Sequence, residues 1–317
     1  SFLTPRLVEQ ARRQGRQVVG VFDEKDGVDA KRYLLDCGVD DVVDQTASPE
    51  EFLAVVRGVV ELAPYVPVSA PPVDEPATRG RMVVVGAPPG GCGATEVAVG
   101  LGEAGAAPVV DADDLAPSLA QRMGAPLHPN LRTAIDVVHH RSGRVDEALI
   151  RAGPLQMVPG LVTGDDWAQL HPGEVEAVIE DVAQQRPAVV VNVGSGLERP
   201  QQGEGRFGLA RGVVRRADVV VAVGLAHPVS VTRLVRWVGE AALLAPDAAI
   251  HVVINRVDRS PFRRSEVESE LAEELGDVPV HFLPEDKRVA EAAWAGAAVS
   301  GGPFRRAVRR LASEIGL

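Results

Sequence analysis

The sequence predicts an α/β protein in which a mainly parallel sheet, sandwiched by helices, is preceded by a smaller, partial α/β segment. Three observations lead there. Apolar runs at 81–85, 108–110, 155–158, 188–193, 217–223 and 249–254 are nearly unbroken and alternate with helical patterns such as 173–184 and 229–245. Strands buried on both faces of a parallel sheet read this way. The first run leads into a glycine-rich turn and then a helical pattern, and residues 65–80, YVPVSAPPVDEPATRG, place four prolines among small and acidic residues with no periodicity. That stretch is expected to be an extended linker dividing 1–64 from 81–317.

Composition is consistent with a sizeable core. Of 317 residues, 45% are hydrophobic and 24% charged, the balance of a globular chain rather than of a disordered tail or a membrane channel. Lysine plus arginine at 33 against aspartate plus glutamate at 44 leave a net charge of −11, which argues against specific nucleic acid as a partner and confines any such contact to a local patch. Cys37 and Cys92 have no paired spacing, which suits a reducing cytoplasm and excludes a disulfide framework or a cysteine-rich zinc site. No apolar run approaches the roughly 18 residues of a spanning helix, and residues 1–9 lack a cationic start followed by an apolar stretch. A cytoplasmic location is therefore expected. Only Lys25, Lys31 and Lys287 are lysines.

Residues 1–64 read as helix, strand (17–22), helix (27–37), short strand (40–43) and a last helix. Ser48 is the expected N-cap of that helix, with Pro49 at its first position and Glu50 and Glu51 in the first turn, where the helix dipole favours acids. VVGVFD, AKRYLLDCGVDDVV and SPEEFLAVVRGVVE follow one another in the order of the last units of a response-regulator receiver domain, which the segment resembles. The phosphoacceptor aspartate of a receiver lies on an earlier strand than these, and Asp44 and Gln45 stand where the last-strand lysine is usual. The resemblance thus implies a pseudo-receiver interaction module without phosphotransfer; a generic α/β adaptor is the other reading.

In 81–317, the run 81–85 is followed by Gly86-Ala87-Pro88-Pro89-Gly90-Gly91-Cys92-Gly93-Ala94-Thr95 and a helix to about Glu103. Strand, glycine turn and helix together aim backbone N–H groups at a phosphate, and Gly90, Gly91 and Gly93 permit the positive backbone angles this needs. A tight turn without a ligand has the same sequence signature.

PGGCGAT resembles the deviant P-loop of the MinD/ParA family, whose usual form is KGGxGK[ST]. Further motifs follow in the family's order: VDADD at 110–114 at the place of switch I, AVVVNVG at 188–194 at that of Walker B and switch II, Ile254-Asn255-Arg256-Val257 near the adenine, and Leu283-Pro284-Glu285-Asp286 in the loop that packs on the base. The resemblance implies ATP or ADP with Mg²⁺. Gly90, Gly91, Cys92, Gly93, Ala94, Thr95 and Glu96 would surround the phosphates, and Thr95 and Asp111 would hold the metal. Asp113 would position the metal shell or the attacking water, Asn192 occupies the Walker B position, and Asn255, Arg256, Pro284 and Asp286 would face the base.

Pro89 stands in place of the signature lysine, Ala94 in place of the phosphate-cradling lysine, and Asn192 in place of the Walker B aspartate. With no lysine between Lys31 and Lys287, no shift of register restores either cation. Losing an ammonium from such a site removes a contact worth on the order of 1.5–3 kcal/mol and part of the transition-state stabilisation on which phosphoryl transfer depends. A receiver-like segment, a proline-rich linker and a MinD-like domain without its lysines together resemble the CpaE/TadZ group and its septum-site-determining relatives. That implies a localisation or scaffolding factor for a Tad-type pilus, a secretion machine or the division septum, recruited to the pole, septum or inner membrane face, with hydrolysis very weak or absent. The alternative is an active partitioning-type ATPase cycling on DNA or membrane. Because Pro89 cannot make the lysine contact that crosses the family's dimer interface, a homodimer that depends little on ATP is expected.

The pair His139-His140 has no second ligand cluster and reads as solvated. Phe304, Val308, Leu311 and Ile315 form one face of a terminal helix beside Arg305, Arg306, Arg309 and Arg310. Two readings stand: a membrane-contacting amphipathic helix, or a helix docked on its own sheet.

Overall fold

The computed structural model describes residues 3, 5–13, 16–23, 29–61, 79–140, 144–162, 164–198, 207–258 and 260–317. The chain divides into two units, 1–77 and 78–317. Most of the proline-rich stretch lies outside the described residues, but its last two residues are tied to the second unit. Arg79 donates from both terminal nitrogens to Asp218, at 2.6 and 2.9 Å, and Gly80 N–H bonds Ala183 C=O at 2.7 Å.

The first unit runs α1 (Pro5–Arg13), β1 (Val19–Phe22), α2 (Asp29–Asp36), β2 (Asp41–Asp44) and α3 (Pro49–Glu61). β1 and β2 pair in parallel, Val19 opposite Asp41, over a small core of Val8, Leu34, Cys37 and Val39. The expected cap is present. Ser48 Oγ accepts from Glu51 N–H at 3.3 Å while Glu51 Oε2 accepts from Ser48 N–H at 2.8 Å, a reciprocal capping box.

The second unit carries β3 (Arg81–Gly86), α4 (Ala94–Ala104), β4 (Val109–Ala112), α5 (Leu119–Arg122), α6 (Leu131–His140), β5 (Ile150–Ala152), β6 (Leu155–Val158) and α7 (Pro172–Gln185). It continues with β7 (Ala188–Val193), α8 (Gly208–Val214), β8 (Val219–Leu225), α9 (Pro228–Leu244), β9 (Ala249–Val257), α10 (Pro261–Leu275), β10 (Val280–Pro284), α11 (Lys287–Trp294) and α12 (Gly302–Glu314). One sheet orders these strands β10-β9-β8-β3-β7-β4-β6-β5, every pairing parallel except β5 with β6.

Alternation along β3 sorts its side chains to two faces, as the pleat requires. Met82 and Val84 enter a core built with Ile135, Val178, Val213, Leu234 and Leu271 of α6 to α10. Val83 and Val85 enter the opposite core with Val97 and Leu101 of α4 and Phe304, Val308 and Leu311 of α12. Covering on both faces explains why these strands read as unbroken apolar runs.

Two strands were not expected from sequence. β5 is a three-residue strand turned back on β6 through Gly153-Pro154, and β10 ends at Pro284, within the segment expected to be a base-packing loop. The terminal helix settles between its two readings. Phe304, Val308, Leu311 and Ile315 are each at most 2% exposed, so the apolar face is occupied by the protein's own core and offers nothing to a membrane. Arg306, Arg309 and Arg310 face outward.

Candidate functional site

β3 lies in the middle of the sheet, and the glycine loop leaves its carboxyl end, where open α/β sheets place ligand sites. Gly90, Gly91 and Gly93 have φ of 137°, 66° and 91°. Gly93 is the N-cap of α4 and no side chain caps that helix, so its first N–H groups and the positive end of its dipole are left to the space inside the loop. Ala94, in place of the cradling lysine, opens α4. Cys92 turns inward, 3% exposed, with its Sγ 3.8 Å from both Pro88 C=O and Ser230 Oγ.

Asn255, expected at the adenine edge, is held by two bonds within the protein. Its Nδ2 donates to Cys92 C=O at 3.0 Å and its Oδ1 accepts from Arg256 N–H at 2.9 Å. A β-carbon on Gly93 would stand 2.5 Å from that same Nδ2. Asn255 therefore pins the loop, and the positive φ of Arg256, 53°, is the backbone conformation that accompanies this bond.

Next to the loop, β4 and β7 place Asp111 opposite Asn192. Asp111 is fully buried. Its Oδ2 accepts from Ser118 N–H at 3.0 Å and Leu119 N–H at 2.9 Å, and its Oδ1 from Asn192 Nδ2 at 2.9 Å and Asp113 N–H at 3.3 Å. Burial pushes its pKa up to about 6; the Asn192 and backbone bonds oppose that, and the charge of Asp113 adds to it. Ser118, held in this way, brings its Oγ to 3.1 Å from Thr95 Oγ1. Asn192 Oδ1 is buried and has no hydrogen-bond partner among the described residues. Asp113 Oδ1 accepts from Leu115 and Ala116 N–H, both at 2.9 Å, which fixes its carboxylate at the mouth of this cluster. Glu96 is paired with Arg122 through two bonds of 2.6 and 2.7 Å, locking α4 to α5 and leaving the phosphate space to the loop backbone.

Loop geometry and the uncapped helix fit a phosphate group. The metal expectation fits less well. Asp111 accepts four protein donors and reaches Thr95 only through Ser118, and among the described residues no group of three or more His, Cys, Asp or Glu could hold a metal ion. Thr95 Oγ1 is thus the protein oxygen best placed to complete a magnesium shell supplied otherwise by phosphate and water. Pro284 ends the edge strand β10, and Asp286, two residues on, caps α11 and accepts from Phe304 N–H at 3.4 Å, which anchors α12.

Sequence reading missed Ser118, Ser230, Arg122 and Arg233. Arg233 on α9 donates from Nη1 to Pro89 C=O at 3.2 Å. No local pattern marks any of the four, since each reaches the site from another element.

No protein-family model and no curated protein matches this sequence. Solved structures do match. The cell division ATPase MinD of Pyrococcus furiosus aligns over 75% of this chain and 98% of its own, at 22% identity and a TM-score of 0.59. A ParA family ATPase from Chlorobium tepidum aligns over 74% and 98% at 17% identity and a TM-score of 0.60. A plasmid partition protein from Borrelia burgdorferi, solved bound to AMPPNP, aligns over 75% and 98% at 13% identity and a TM-score of 0.58. The fold is shared with these proteins, in agreement with the α/β reading of the sequence.

Proposed function

We propose that this chain is a nucleotide-binding positioning factor of the MinD/ParA type, in the manner of the CpaE/TadZ group, that binds ATP or ADP weakly and turns it over very slowly or not at all. The observation that carries this reading is the glycine loop at the carboxyl end of β3, with three glycines at positive φ and an uncapped α4. Beside it the Thr95 hydroxyl, 3.1 Å from Ser118 Oγ, would be open to a phosphate or its metal. The two lysines are absent, and Asn192 donates to Asp111 where the Walker B carboxylate would accept. The cradle persists and the charges that stabilise phosphoryl transfer do not. Structures of the same fold include a cell division ATPase and a plasmid partition protein solved with AMPPNP, which supports nucleotide as the ligand class and positioning as the role.

When bound, nucleotide would supply its own phosphate charge and metal. The chain would contribute backbone N–H donors at 90–96, the Thr95 hydroxyl, and Asp113 held by two amides to orient water. In a titration of the full chain with ATP run beside a turnover assay, binding without measurable turnover is expected. Ala94→Lys, which restores the cradle cation, should tighten binding by roughly tenfold or more. Turnover comparable to that of an active P-loop ATPase, lost in Asp113→Ala, would favour the partitioning-ATPase reading instead.

Assembly is a separate expectation. With Pro89 at the signature position no cation crosses from one copy to the phosphates of another, so a homodimer would form through apolar and shape contacts or through the pseudo-receiver segment. The sedimentation coefficient of the full chain should accordingly be that of a dimer with or without ATP; a monomer throughout, or a dimer that appears only with ATP, would refute it.

A further inference from the structure

Resting on the nucleotide-site reading above, we propose that Arg233 supplies the phosphate-binding cation that the loop itself lacks, so that a nucleoside di- or triphosphate is held by a charge delivered from α9. The Nη1 atom of Arg233 is 3.2 Å from Pro89 C=O, the residue that stands at the signature lysine position. It is also the nearest atom, at 3.8 Å, to where a β-carbon of Gly90 would be. The guanidinium therefore lies against the turn that lacks a lysine.

Its placement is set by buried neighbours. Ser230, three residues earlier and so on the same helical face, is 5% exposed and touches Cys92 Sγ with its hydroxyl while accepting from Leu225 N–H at 2.8 Å. Leu234 is fully buried, and Trp237 bonds Ser195 C=O at 3.1 Å. These contacts hold the first turns of α9 against the loop, and Arg233 extends from them into solvent above it.

One further observation bears on what the guanidinium would take. Among the described residues no carboxylate pairs with Arg233, whereas Arg122, at the far side of the loop, is committed to Glu96. One N–H of Arg233 is fixed on Pro89 C=O and the rest of the fork stays available. A planar fork suits two oxygens of one phosphate in a way an ammonium does not.

Calorimetric titration of the full chain with ATP, ADP and inorganic pyrophosphate tests this. Arg233→Ala should weaken ATP and ADP by roughly ten- to a hundredfold with an unchanged melting temperature. Arg233→Lys should recover part of the loss, and Arg236→Ala, an exposed arginine about one turn further along the same helix, should bind as wild type does. Equal ATP affinity of wild type and Arg233→Ala would overturn the role of Arg233 and leave the nucleotide site standing. No ATP binding by the wild type at millimolar concentration would overturn both, and pyrophosphate binding as tightly as ATP would overturn the nucleoside as part of the ligand.

Discussion

Gly93→Ala is expected to destabilise the second unit by about 2–4 kcal/mol and to abolish nucleotide binding, although it adds a single methyl group. Two costs coincide. The φ of 91° at Gly93 is one that an L-residue adopts only with strain. The new methyl would also stand 2.5 Å from Asn255 Nδ2, and Asn255 cannot swing aside cheaply because it is buried and bonded at both ends of its amide. Asn255→Ala alone leaves Cys92 C=O without its donor and should cost about 1–2 kcal/mol. The double variant removes the collision while keeping the strained φ. Its cost should fall below the sum of the two by about 1–2 kcal/mol, as read by denaturant unfolding of all four proteins. Strictly additive costs would show that Asn255 does not hold the loop.

Asp111→Ala should cost about 3–5 kcal/mol, because it strands four buried or half-buried donors at once: Ser118, Leu119 and Asp113 N–H and the Asn192 amide. The same residue makes a pH-dependent prediction with a definite sign. Its folded pKa, about 6, lies above the ordinary value of 3.8 because burial penalises the charged form. Between those values the folded state binds more protons than the unfolded one, so the contribution of Asp111 to stability is greatest at and below pH 4 and declines as pH rises through 6. Asp111→Asn cannot titrate. The stability difference between the two proteins should therefore shift in favour of asparagine by on the order of 3 kcal/mol between pH 4 and pH 7, measured by urea unfolding at several pH values. A difference that does not change with pH would mean that Asp111 keeps an ordinary pKa.

Much of the fold was legible in the residues. The runs at 81–85 and 188–193 could be placed in the interior of a parallel sheet because residues on both faces are apolar, and the structure pairs Val84 with Val191 in adjacent strands. The Ser48 cap and the helices at 172–185 and 228–244 were likewise visible, since capping and the 3.6-residue period act within a few positions of the chain. Misreadings fell where a short segment answers to distant packing. β10 forms because 280–284 lies alongside β9, and β5 because a Gly-Pro turn returns three residues to β6.

For the site, sequence alone determined the glycine loop, the absence of both lysines and the place of Asp111 at the end of a buried strand, because these depend on residue identity and local pattern. What each polar side chain does there was decided only by tertiary structure. Asn255 bonds a carbonyl 163 residues away and Arg233 one 144 residues away, and Asp111 turns its oxygens to a helix start and to Asn192 across the sheet. A buried amide or carboxylate must satisfy its hydrogen bonds with whatever the fold brings beside it. Its partners are set by the crossing of strands and helices, which no window of sequence contains.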